Sequence, residues 1–124
     1  MSDQTVHTAF ELPALPYGLQ DLEPHLGEET LKVHHGRHHA KYVENLNRLL
    51  AGQDLAGVSL EGVLRRASES NQTALFNNAA QTWNHAFFWE SMTPKAGKPE
   101  GELATAIAGA FGDLAALKEK FVAE

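Results

Sequence analysis

The spacing of apolar and histidine side chains between residues 28 and 50 restricts the fold of this 124-residue chain more than any other feature. One side of this stretch repeats in steps of three and four residues: Leu31, His35, His38, Tyr42, Leu46 and Leu49. Such steps are typical of one face of an α-helix, whereas the faces of a strand alternate every second residue. Two acidic residues, Glu28 and Glu29, favour a helix start, and Gly52 favours its end. We therefore predict one long helix over 28–50, in which Gly36 indicates either close backbone packing or simple tolerance of a glycine.

The rest of the chain also predicts helices, and no stretch alternates long enough to indicate a strand. A shorter helix starts after Ser59, a good N-cap, and ends near Glu69. A third helix covers about 73–92; it is apolar over most of its circumference, so we expect it to be buried on several sides, with its aromatic residues in the core.

Two further regions are set off by proline and glycine. The segment FELPALPYG (10–18) contains two prolines and predicts an ordered, non-helical arm. The loop TPKAGKPEG (93–101) is the strongest candidate for a domain boundary. Beyond it we predict a helix over 102–111 and a second one capped by Asp113, with an inner face formed by Leu114, Leu117 and Phe121.

Composition excludes several classes of function. The chain has no cysteine, so disulfides, thiolate metal sites and cysteine nucleophiles are excluded, and a reducing cytoplasm is the expected location. Sixteen acidic against ten basic residues give a net charge of −6, which argues against nucleic-acid binding. No apolar run predicts a membrane span, and the N-terminus lacks the features of a signal peptide.

Seven histidines are the unusual feature of the composition, and four of them lie between residues 34 and 39. His34, His38 and Tyr42 are spaced four residues apart and therefore share one face of the first long helix. A second set with the same spacing lies on the third helix: Asn77, Gln81, His85 and Trp89. If the two helices return antiparallel, these faces press together and enclose a pocket of imidazoles, an amide and a phenol.

Spacing alone leaves three interpretations of this pocket open. The histidines could be hydrogen-bonded core residues. From spacing alone, this interpretation is favoured over metal ligation by about two to one. They could ligate a metal from two helices, since imidazole binds zinc, iron, copper and nickel. They could also chelate zinc or nickel within one helix, as His34 with His38 or as His35 with His39.

Four segments of the chain resemble the iron/manganese superoxide dismutase family: FELPALPY, VHHGRHHAKYVENLN (33–47), FNNAAQTWNHAFFW (76–89) and AIAGAFGDLAALKEKF (106–121). The resemblance implies an all-α chain. Residues 1–92 would form the arm and the antiparallel helical hairpin domain, 93–101 a linker, and 102–124 the start of a truncated α/β carboxy-terminal domain. It also implies an enzyme that converts superoxide to oxygen and hydrogen peroxide at one iron per subunit, with manganese as the alternative metal.

The resemblance also assigns roles to individual residues. His34 and His85 match the first two metal ligands, and His38 matches the histidine at the interface of a homodimer. Tyr42 matches the tyrosine at the mouth of the substrate channel. Gln81 matches the glutamine that hydrogen-bonds the solvent ligand of the metal; its position on this helix indicates the iron type.

The chain departs from the family in one respect. It ends before the D-x-W-E-H segment, which in the family supplies an aspartate and a third histidine as ligands. We therefore expect a fragment with half of the protein ligands, and we expect the isolated chain to be inactive. Two alternatives are a non-enzymatic helical module and a zinc- or nickel-binding protein that uses the HHGRHH cluster.

Overall fold

The computed structural model describes residues 9–124, and over this part of the chain it is entirely helical, without strands. The predicted all-α class is therefore confirmed. The elements, in order, are α1 (Glu28–Val33), a π-helical segment (His34–His39), α2 (Ala40–Leu50), α3 (Leu60–Glu69), α4 (Thr73–Glu90), α5 (Gly101–Phe111) and α6 (Leu114–Ala123). Over the same residues, no helix combines the length and the apolar character needed to cross a membrane.

The predicted helix over 28–50 forms, but its central turn is wider than an α-turn. The HHGRHH sequence is π-helical, a form that is rare and occurs frequently at functional sites. Gly36 lies in this segment, and apart from its chain neighbours and the backbone of its own helix no atom lies within 4 Å of where a Cβ would stand. Tolerance of the glycine is therefore the correct interpretation, and close backbone packing is wrong.

The π-helical segment also changes which residues downstream face the core. Of the residues on the face marked by spacing, Leu31 and Leu46 are buried, at 1% and 0% exposure, but Leu49 is exposed and Leu50 is buried instead. A wider turn advances the chain through a smaller angle per residue than the 100° of an α-helix. The register after the segment is therefore rotated, and the buried face is not the one that α-helical spacing marks.

The contacts between α4 and the first long helix run in opposite directions along the two helices. His34 lies beside Trp89, Tyr42 lies beside His85, and Leu46 shares a core cluster with Ala79. Residue numbers fall along α4 as they rise along the first helix, so the two helices are antiparallel. The predicted return of the chain is confirmed.

Two apolar clusters hold this hairpin on either side of the histidines. The larger cluster joins α2, α3 and α4 through these buried residues: Leu46, Leu50, Leu55, Val63, Ala67, Leu75 and Ala79. The smaller one consists of Leu22, Leu31 and Trp89. Ser59 begins α3 as expected, because its side chain accepts a hydrogen bond from the Gly62 amide. The histidine cluster thus lies between two regions of packed side chains.

The non-helical arm is fastened to the hairpin by polar contacts. The Asn47 side chain accepts a hydrogen bond from the Phe10 amide and donates one to the Phe10 carbonyl, both at 2.8 Å. Further along, the Tyr17 hydroxyl donates to the carbonyl of Trp89. The prediction of an ordered, non-helical arm is confirmed for the described residues.

We expect Asn47→Ala to lower the free energy of unfolding by about 1–2 kcal/mol, because it removes two partly buried hydrogen bonds. Asn45→Ala on the same helix is the matched control, since Asn45 makes only an exposed contact with Arg48. Urea unfolding of both variants measures the difference. Equal stability of the two variants would contradict the fastening role of Asn47.

The aromatic residues of α4 are less buried than the sequence predicts. Trp89 is in the core at 2% exposure, but Trp83, Phe87 and Phe88 are all exposed. The Trp83 and Phe87 rings stack in parallel on the outside, with centroids 5.5 Å apart. The expectation that α4 is buried on several sides is wrong for the described residues, because α2 and α3 cover only part of its circumference.

The chain divides into two compact units, one ending at Pro94 and the other beginning at Lys95. In the second unit, the Asp113 side chain accepts a hydrogen bond from the Ala116 amide and begins α6 as predicted. Leu114 and Leu117 are partly buried, whereas Phe121 is 79% exposed, so Phe121 is not an inner-face residue as expected. With only α5 and α6 in this unit, nothing within it covers the last turn of α6.

Candidate metal centre

Three histidines from two helices meet where the π-helical segment packs against α4. His34, His38 and His85 each offer a ring nitrogen, and these nitrogens all lie within 4.8 Å of one another. The ring centroids of His34 and His85 are 5.1 Å apart, and those of His38 and His85 are 5.0 Å apart. The structure therefore brings together the two sequence-predicted ligands and adds His38 to them.

A backbone hydrogen bond sets the proton position on His85. Its Nδ1 lies 2.7 Å from the carbonyl oxygen of Gln81, one turn earlier on α4. A carbonyl oxygen can only accept, so Nδ1 carries the proton and the lone pair of the neutral ring is on Nε2. Metal-ligating histidines use this arrangement, because a hydrogen bond to one nitrogen orients the other toward the metal.

His39 differs from His85, since both of its ring nitrogens already make hydrogen bonds. Its Nδ1 accepts a hydrogen bond from Trp89 Nε1 at 3.1 Å, so its Nε2 carries the proton and donates to the Thr82 carbonyl at 3.2 Å. The residue is fully buried. Burial, with a smaller contribution from His85, lowers the pKa of His39 to about 4, which keeps the ring neutral. His39 is a core residue that positions Trp89 and stacks on His85, and it has no nitrogen left for a metal.

The alternative of chelation by His35 and His39 is therefore excluded. His35 also has a ring nitrogen in use, because its Nε2 lies 2.7 Å from the Pro13 carbonyl and donates to it. Of the three interpretations, the core role fits His39 and the metal-ligand role fits the cluster of His34, His38 and His85. The sequence suggested His39 only as a chelating partner of His35, and its role as an acceptor for Trp89 was missed. The need of a buried tryptophan N–H for an acceptor was the available signal.

Burial also affects the pKa of His34, on the π-helical segment. The pKa of His34 lies below its ordinary value, first because the ring is partly buried and then because His85 and His38 lie close to it. A lowered pKa favours the neutral imidazole, which is the form that binds a metal.

Aromatic rings surround the cluster. The Tyr42 ring lies 5.1 Å from His38 and 5.4 Å from His85, while Trp89 lies 4.9 Å and Phe88 5.5 Å from His34. On its outer side, a cavity of about 510 Å³ opens beside His34 and His38. A small molecule therefore has a route to the histidines from the α1 side.

Gln81 is half-buried on the same helix as His85. Within residues 9–124 its side-chain amide makes no hydrogen bond to protein, and its polar atoms reach the surface, since no buried side-chain N or O atom in this part of the chain lacks a partner. Asn77, one turn earlier, is exposed. The backbone of Gln81 orients His85, and its side chain stays available for a further group.

The chain matches one family of known proteins, both by a family model and by individual relatives. Residues 9–93 match the family model for the alpha-hairpin domain of iron/manganese superoxide dismutases. The chain is 50% identical over 114 residues to an iron superoxide dismutase of Photobacterium leiognathi, a match that covers 91% of this chain and 57% of that protein. The iron superoxide dismutases of Legionella pneumophila and Escherichia coli K12 are 49% and 48% identical over 90% and 91% of this chain. The chain spans little more than half the length of these relatives, 57% in each case.

Proposed function

Because the chain belongs to the iron/manganese superoxide dismutase family, we propose that it supplies the amino-terminal half of an iron site that converts superoxide to oxygen and hydrogen peroxide. One observation carries the proposal: His34 and His85 approach from two helices, and His85 has its Nε2 free because Nδ1 is bonded to Gln81. The sequence match to iron superoxide dismutases supports iron as the metal.

The donor set fits iron in part. Imidazole nitrogens are accepted iron ligands, but redox iron sites ordinarily include a carboxylate, and the histidine cluster contains none. We propose that His34 and His85 are two of four protein ligands. The aspartate and third histidine implied by the family would come from a region beyond residue 124.

Bound iron would supply the one-electron chemistry, by which one superoxide is oxidised to oxygen and another, with two protons, is reduced to hydrogen peroxide. The chain's own residues would control access and hydrogen bonding. We propose that the Tyr42 hydroxyl holds a water at the entrance and restricts what enters. Its ring contacts with His38 and His85 support that position.

We also propose that the protein acts as a homodimer, with His38 at the contact between subunits. The exposed position of His38 supports this assignment. The cytoplasmic location and the division into domains at 93–101 stay predictions.

Reconstitution tests the proposed function. The chain, extended to the length of its relatives, is stripped of metal with a chelator, reloaded with iron or zinc, and assayed for superoxide removal. We expect activity to return with iron and not with zinc, because zinc has no redox chemistry. Equal recovery with zinc, or none with iron, would contradict the proposal.

Gln81→Ala in the same extended chain tests whether the amide tunes the metal. We expect most of the iron to stay bound and the turnover per iron to fall about tenfold or more, since second-shell partners of metals have effects of that size. Alanine keeps the helix propensity and the backbone carbonyl that orients His85, so it removes only the amide. The measurements are iron content, turnover per iron and reduction potential.

The competing explanation for Gln81 is purely structural. In that case, Gln81→Ala would change the melting temperature and leave turnover per iron and reduction potential at wild-type values. Asn77→Ala, at an exposed position one turn earlier, is the matched control and should change none of these quantities.

A further inference from the structure

We propose that the 124-residue chain binds one zinc ion through His34, His38 and His85, in a three-histidine site that differs from the proposed iron site by its use of His38. The ligand nitrogens of all three residues already lie within 4.8 Å of one another. The proposal does not depend on superoxide chemistry.

The geometry requires only a small contraction. Tetrahedral zinc holds nitrogens at 2.0–2.1 Å, so the ligand nitrogens must come to about 3.3 Å from one another. The rings of His34 and His38 make no hydrogen bonds within residues 9–124, and His38 is exposed. Both rings can therefore turn toward the metal without breaking a bond. His85 is already oriented, with its Nδ1 bonded to the backbone.

The chemistry of the donors favours zinc over iron. The cluster offers three imidazoles and no carboxylate. Imidazole suits zinc, iron, copper and nickel alike, but redox iron sites ordinarily add a carboxylate, whereas a zinc site can consist of histidines alone. Three histidines with one open position form a known type of zinc site, in which water is the fourth ligand. The cavity beside His34 and His38 gives that water access to solvent.

His38 is the residue that the two proposals use differently. In the proposed enzyme it lies at a subunit contact and is not a ligand; in the zinc site it is one of three ligands. Replacement of His38 therefore separates the two proposals, because it would remove zinc binding without removing a ligand of iron.

The experiment is a calorimetric titration of the purified, metal-free 124-residue chain with Zn²⁺. We expect one zinc per chain in the wild type. His38→Ala and His34→Ala should each weaken binding by at least 100-fold, which is the upper end of what loss of even a second-shell partner costs. Titration with Co²⁺ provides an independent readout, since four-coordinate Co²⁺ absorbs visible light much more strongly than the six-coordinate ion. That absorption should be present in the wild type and absent in His38→Ala.

His35→Ala is the matched control, because His35 lies in the same π-helical segment and is bonded to the arm instead of the cluster. It should bind zinc like the wild type. Wild-type zinc affinity in His38→Ala, or a lost site in His35→Ala, would overturn the proposal, as would a wild-type chain that binds no zinc. Circular dichroism of the metal-free variants shows whether each is folded, and His38→Gln replaces His38→Ala if the latter unfolds. Failure of this proposal leaves the iron site standing, whose own test is the loss of iron in His85→Ala.

Discussion

His85→Ala should abolish iron binding in the chain extended to the length of its relatives, whereas His39→Ala should retain the iron. The two residues stack on each other with ring centroids 5.2 Å apart, yet they differ in how many of their ring nitrogens make hydrogen bonds. His85 has a free Nε2, because its Nδ1 is bonded to Gln81. Both nitrogens of His39 are bonded, one to Trp89 and one to Thr82. Removing His85 therefore deletes a ligand, and removing His39 deletes two hydrogen bonds of the core.

Iron content and melting temperature together test this pair of variants. His39→Ala should lower the free energy of unfolding by about 3 kcal/mol or more, because it leaves a cavity and a buried tryptophan N–H without an acceptor. His85→Ala should lose essentially all iron while its metal-free form stays folded. Retention of iron by His85→Ala would rule out the ligand assignment. Loss of iron by a folded His39→Ala would contradict the assignment of His39 as a core residue without a metal role.

The 124-residue chain alone should show negligible superoxide dismutase activity, even when it is purified in the presence of iron. The proposed reaction needs a metal held by four protein ligands, and among residues 9–124 the cluster at this site contains three histidines and no carboxylate. His34 and His38 are also open to the solvent cavity, so iron would be held weakly and exposed to water. We expect the rate of superoxide removal to equal that of the same iron concentration without protein.

The control for this prediction is the extended chain, assayed at the same iron concentration. It should be active and lose its activity on treatment with a chelator. Robust, iron-dependent activity from the purified 124-residue chain, with no second polypeptide present, would show that these residues suffice. The assignment of half the ligands to a region beyond residue 124 would then be wrong.

Much of the fold could be predicted from the sequence because the helices here are specified by local interactions. The caps of Ser59 and Asp113 each depend on a side chain that reaches a backbone amide three residues away. The shared face of His34, His38 and Tyr42 follows from spacing along a single helix. The face of α4 that carries His85 follows in the same way, and the short helix α3 between the two long helices allows the chain to return antiparallel. These features need no knowledge of distant contacts.

The tertiary structure decided the features that depend on what lies opposite a side chain. Periodicity places His38, and not His39, on the face that carries Leu31 and Leu46. Trp89, fifty residues away, nevertheless makes His39 a buried acceptor while His38 stays exposed. The π-helical segment rotates the register so that Leu50 is buried and Leu49 is not, and a pattern based on α-helical spacing does not include that rotation. Exposure of Phe87 depends on which elements cover α4. Local spacing determines which residues share a face, whereas burial and the use of each ring nitrogen depend on the partner that the folded chain brings to that face.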